Sequence, residues 1–157
     1  MDQLSQIPLT MTTMKASAAA GTTTTVSTTG TTLFCIKGKA YSKTALSNQA
    51  FPATDHTTGA AFTAVADDDG CILVLGFDKD GTLCVAQGQS QDLDAAGSFI
   101  LAPQFPAIKD TMCPFAYVVI KNTSGSNWTP GTNNWTVTDL SDVFVDVMTL
   151  PDRPQIA

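Results

Sequence analysis

The sequence predicts an all-β fold, a single-domain antiparallel β-sandwich or barrel with an extended N-terminal arm. Three observations lead there. Residues 72–77 (ILVLGF) and 115–121 (FAYVVIK) are apolar on both alternating faces, the pattern of central strands covered from two sides. No segment longer than a turn or two carries apolar residues at helical spacing. Glycine and proline cut the chain into short pieces, as in strand-rich folds. At 157 residues one domain is expected, divided into an arm, 1–21, and a β-domain, 22–157.

Residues 71–88 (CILVLGFDKDGTLCVAQG) form the centre of the reading, a β-hairpin. Two apolar runs, 72–77 and 83–86, flank Asp78-Lys79-Asp80-Gly81, where Gly81 can take the positive φ of a short turn and Asp80 tolerates it. In the arm, Leu4, Ile7, Leu9, Met11 and Met14 are irregularly spaced and Pro8 opposes a continuous helix, so an extended segment with apolar anchors is expected. These five residues are candidate contacts with a neighbouring subunit. The Thr-rich run 22–32 favours extended backbone, and residues 33–41 read as strand, turn and strand around Gly38. Residues 42–69 read as a long loop of the kind that forms contact surface. Residues 93–99 have room for one helical turn, whereas 102–108 (APQFPAI) must be extended. Pro114 opens the second clear strand, Trp128 lies in a polar excursion over 122–134, and the last strand is expected over 143–150. Asp146 inside that strand should face solvent or a polar partner.

Composition excludes several functions. Charged residues make up 14% of the chain, well below the roughly 25% of ordinary soluble domains, and Thr, Ser, Asn and Gln supply the polar surface. Such groups shed water more readily than charges and suit surfaces that end against protein. The net charge is −6, and the eight Lys and Arg do not cluster along the sequence. Binding to nucleic acid or to an anionic membrane surface is therefore not expected. No apolar run is long enough to span a bilayer, and the N-terminus lacks the pattern of a signal peptide, so synthesis in a cytoplasm is expected.

Candidate chemistry is thin. Cys35, Cys71, Cys84 and Cys113 form no Cys-x-x-Cys pair and lie in or beside apolar segments, so four buried thiols are expected rather than zinc ligands or disulfides. His56 follows Asp55 in a loop, but no nucleophile-elbow motif accompanies them. The acidic turns 67–70 and 78–81 lack the spacing of an EF-hand, and all 14 acidic residues are Asp. No catalytic residue, metal site or cofactor is expected. Asn127-Trp128-Thr129 and Asn134-Trp135-Thr136 repeat one triplet seven residues apart. Exposed indoles there could stack on sugars; a subunit interface or the core accommodates them as well.

The run APQFPAIKDTMCPFAYVVIKNTSG and the closing VFVDVMTLPDRPQ resemble tailed-bacteriophage virion proteins. The resemblance rests on Pro103, Pro106, Pro114, Tyr117, Val118, Val119 and Ile120, together with the hairpin upstream, and spans residues 22–157. It implies a head-decoration (cement) protein or a related head-fibre or tail component. The implied partners are a major capsid protein and further copies of the chain, as a homotrimer on the capsid surface. Leu4, Ile7, Leu9, Met11, Met14, Phe105, Trp128 and Trp135 are then the candidate interface residues. The competing expectation is a receptor- or glycan-binding module, which requires both tryptophans to be exposed.

Overall fold

The computed structural model describes residues 11–12, 16, 18–21 and 23–156. Leu4, Ile7, Leu9 and Met14, named as interface candidates, lie outside the described residues. Among the described residues there are no helices, and all pairing is antiparallel. The strands in chain order are β1 (Met11–Thr12), β2 (Ala19–Ala20), β3 (Thr25–Ser27), β4 (Thr32–Ile36), β5 (Lys39–Lys43) and β6 (Gln49–Ala50). They continue as β7 (Asp69–Phe77), β8 (Leu83–Gln87), β9 (Gln91–Asp92), β10 (Cys113–Asn122) and β11 (Leu140–Asp146). The central sheet runs β11-β10-β7-β8, with β9 also on β7; two small sheets, β1-β4-β5 and β2-β3-β6, complete a sandwich-like all-β architecture.

β7 and β10 are buried almost end to end because both faces of the central sheet are covered. On one face Cys71, Leu73, Leu75 and Phe77 meet Phe34, Ile36, Val26 and the Trp128–Trp135 pair in the larger core. On the other, Ile72, Val74, Tyr117 and Val119 lie beneath Phe99, Phe105, Ile108 and the C-terminal Val147 and Leu150. The period-2 alternation of a strand assigns the residues of β7 to the two cores. In β10 the register against β7 shifts between Pro114 and Ala116, so Phe115 and Ala116 both enter the larger core.

The central hairpin forms as expected, and its turn rests on one carboxylate. Asp78 Oδ1 accepts the Asp80 and Thr82 N–H groups at 2.9 and 2.8 Å, and Gly81 supplies φ of 72°. Residues 93–99 form the same device rather than a helical turn. Asp94 Oδ1 accepts the Ala96 and Ser98 N–H groups at 2.9 and 2.8 Å, and Leu93 pairs with Phe99 across the loop. The final strand is also displaced from expectation. β11 occupies Leu140–Asp146, the Val147 N–H still bonds the Phe115 carbonyl of β10 at 2.9 Å, and Val147 and Leu150 cover the second core.

The described part of the segment 1–21 is built into this domain. Met11–Thr12 pairs with Phe34 and Cys35 of β4, and Thr12 Oγ1 donates to the Val147 carbonyl at 2.9 Å. Ala16 is fully buried, and the Ala18 N–H bonds the Asp146 carboxylate at 2.9 Å, the polar partner that Asp146 was expected to find.

Candidate interaction surfaces

Trp128 and Trp135 are core residues, 1% and 4% exposed, which removes them as interface candidates. Their burial is built by Asn122. Its Nδ2 donates to the carbonyls of Val65, Ala66 and Ser126 at 2.8–3.0 Å, drawing the 65–66 and 122–126 segments together. Trp128 then bridges to Val65, with its indole N–H on the Asn134 carbonyl at 3.0 Å; the Trp135 indole N–H reaches Thr25 at 2.9 Å. The rings lie 5.2 Å apart and extend through Phe51 and Phe144. A glycan reading that needs both indole faces in solvent therefore loses its footing. Phe105 is half-buried, edge-on to Tyr117 at 5.1 Å, so only part of its ring is open to a partner.

The His56–Asp55 neighbourhood is structural. Asp55 is 5% exposed, and its Oδ1 accepts the Thr57 and Thr58 N–H groups while Oδ2 accepts the Gln87 N–H at 2.6 Å. The His56 backbone N–H bonds the Val85 carbonyl at 2.7 Å. Together they cover the outer edge of β8, where unpaired backbone groups would invite another strand. The imidazole points to the Thr111 hydroxyl at 3.4 Å rather than to the Asp55 carboxylate.

The acidic turns spend their oxygens on backbone, as Asp78 does within its own turn and Asp67 does on the Gly125 N–H at 2.8 Å. Among the described residues no three His, Cys or Asp side chains converge as a metal-ligand set. The cysteines are free thiols, three of them buried and Cys35 half-buried where four buried ones were expected. Burial pushes the Cys71 thiol up to about 12 and those of Cys84 and Cys113 up to about 11, so these three stay protonated and poorly nucleophilic.

Three surfaces remain open to a partner. A polar groove of about 670 Å³ runs between the 55–58 loop, residues 87–91 and the extended 101–107 segment. In it, Gln89, Gln91 and Gln104 make no side-chain hydrogen bond to another described residue, and Phe105 supplies an apolar wall. The second surface is the tip Ile100–Leu101, with side chains 61% and 66% exposed. The third is a pocket of about 440 Å³ walled by Ile36, Tyr41 and His56 and rimmed by Lys37, Lys39 and Lys79 together with Asp78, Asp80 and Asp110. Cations scattered in the sequence are thus gathered in space, because the turns after β4 and β7 end side by side. The signal was present in the turn sequences themselves, KGK and DKDG, each of which carries lysine at a hairpin tip.

Comparison of the chain with protein-family models, with curated proteins and with solved structures found no match.

Proposed function

We propose that this chain is a non-enzymatic virion structural protein that binds and stabilises an assembled phage capsid, as a decoration or cement protein does. The observation that carries the reading is the Ile100–Leu101 tip, two large apolar side chains held outward as a contact for a neighbouring subunit of the shell, capsid protein or another copy. Covering each such side chain is worth about 1.5–3 kcal/mol before ordering costs, and a lattice repeats that contact many times. The resemblance of residues 22–157 to tailed-phage virion proteins supports the same assignment, with a major capsid protein and other copies of the chain as partners. The deciding measurement is copy number per major capsid subunit in purified virions, by quantitative mass spectrometry. A simple ratio with hundreds of copies is expected; absence from the particle would overturn the reading.

A second reading, a glycan-binding head-fibre or tail module, now rests on the polar groove instead of the tryptophans. The unpaired amides of Gln89, Gln91 and Gln104 beside the Phe105 ring suit a neutral sugar. It predicts a low copy number and saturable binding of neutral oligosaccharides by calorimetry, lost in Gln104→Ala.

A further inference from the structure

The two ends of the central sheet differ in charge and shape, and each end presents what the other would accept. β7 runs from Asp69 to Phe77, so its ends stand about 26 Å apart at ~3.3 Å per residue. At the Phe77 end, Lys37, Lys39 and Lys79 rim the 440 Å³ pocket together with Asp78, Asp80 and Asp110, and the aliphatic part of Lys43 of β5 lies close to Gly81, so four lysines face three aspartates there. Four of the eight Lys and Arg are therefore collected there. Lys37 is neutralised by Asp110 at 2.6 Å and Lys79 by Asp80 at 2.7 Å. Lys39 and Lys43 have no carboxylate partner among the described residues. The wall beneath this rim is the Ile36 side chain and the Tyr41 and His56 rings.

The Asp69 end is mainly acidic, with Lys121, set over the Phe99 ring and opposite Gly70, as the cation among its carboxylates. Asp92 of β9 pairs directly across from Asp69, with Asp68 and Asp67 just before it and Asp94 just after β9. Asp139 joins them through its carbonyl, which accepts the Thr123 N–H at 3.1 Å. The Ile100–Leu101 tip projects from within this acidic group, its backbone fixed by the Ile100 N–H on the Asp92 carbonyl at 3.1 Å.

We infer that the Ile100–Leu101 tip of one copy seats in the lysine-rimmed pocket of a second copy, joining chains head to tail. Apolar tip meets apolar wall, and the acidic surround meets the lysine rim. Because tip and pocket lie at opposite ends of the sheet, one chain cannot satisfy its own pair. A contact of this kind is heterologous, so repetition closes a ring when the rotation allows and otherwise extends a filament. Its charged rim weakens as salt rises and screening shortens. The inference deepens the reading of the chain as a many-copy contact protein and rests on it only for what the assembly serves. Copy number in virions tests that reading, whereas the purified chain alone tests this contact.

The experiment is sedimentation velocity of the full chain at about 0.05 M and about 0.5 M salt, with Leu101→Asp and Lys39→Glu as separate variants. Both positions are exposed, so each variant should fold, and native emission from the buried tryptophans verifies it. Wild type should form species larger than a dimer at low salt, and each variant alone should associate roughly tenfold more weakly or not at all. An equimolar mixture holds one intact tip, on Lys39→Glu, and one intact pocket, on Leu101→Asp. It should give dimers and nothing larger, the signature of a head-to-tail contact. A monomeric wild type, a wild type that stops at dimers, a variant that assembles normally, or a mixture that stays monomeric would each overturn the inference.

Discussion

Asp55 is the clearest residue-scale case of polar chemistry devoted to structure. Its two carboxylate oxygens accept the Thr57, Thr58 and Gln87 N–H groups, so the side chain is spent on holding the 55–58 loop against β8 rather than on its histidine neighbour. Asp69 is in a different situation. Burial first, then the nearby Asp92 and Asp68 carboxylates, raise its carboxyl above the ordinary 3.8. The native chain therefore holds that proton to higher pH than the unfolded chain does. Stability falls as pH rises through the window from 3.8 to the raised native value, and the repulsion is fully present at neutral pH. Asp92 sits directly across the strand pair from Asp69, where like charges oppose pairing. Asp92→Asn should raise stability by a few tenths of a kcal/mol at about pH 7, a small effect because solvent screens the site. Below the ordinary carboxyl range the gain should vanish, since Asp69 is then protonated and uncharged in both the folded and the unfolded chain. Thermal midpoints of the dilute protein at neutral and acid pH decide it, and an Asn variant that melts lower than wild type at neutral pH contradicts the account.

At the scale of elements, the second face of the central sheet depends on glycine. A Cβ on Gly76 of β7 would lie 2.6 Å from Met112 Cε and 2.7 Å from the Cys113 carbonyl oxygen; one on Gly70 would meet the Phe99 ring at 2.6 Å and the Ile120 carbonyl at 2.7 Å. These two positions let the 99–112 segment lie flat on the sheet, and that segment carries Phe105 and the tip. The Met112 side chain can swing away from an added methyl, but the Cys113 carbonyl belongs to the paired strand and cannot. Gly76→Ala should therefore cost about 1–3 kcal/mol, read as a lower urea midpoint; an unchanged midpoint would mean that the strands separate freely there. Local pattern explains which elements were legible in the sequence. The β7–β8 and β4–β5 hairpins and β10 were readable because a continuous apolar run or a Gly-containing turn marks each within a few residues. The segment 93–99 left room for a helical turn in the sequence reading, although the Asp-x-x-Gly-Ser spacing of 94–98 matches the Asp-x-x-Gly-Thr of 78–82. For Trp128 the sequence left core, subunit interface and sugar contact open, and local pattern could not choose among them. Trp128 sits among polar residues, and contacts from more than fifty residues away, the Asn122 side chain on the Val65 and Ala66 carbonyls and the Val65–Trp128 bridge, bring that loop onto the core.

For the whole molecule, the two cores are unequal in their dependence on chain ends. The larger one is enclosed by strands and the tryptophan loop, whereas the smaller is roofed by the 99–112 segment and by residues that follow β11. Leu150 packs there, and the Gln155 N–H caps the Tyr117 hydroxyl at 2.8 Å, which satisfies the only polar atom of a fully buried ring. Removing residues 150–157 should thus uncover the second face and leave the first intact. Loss of one half-buried leucine and one part-buried hydrogen bond is worth about 1–3 kcal/mol together. The shortened chain should unfold at lower urea and bind an apolar dye, yet keep native tryptophan emission, because both indoles belong to the other core. A simultaneous shift in the tryptophan signal before unfolding would mean that the faces are mechanically coupled through β7 and β10. In that case the tip, carried on the second face, and the lysine-rimmed pocket, built against the first, would respond to each other's occupancy, and head-to-tail growth would be cooperative rather than stepwise.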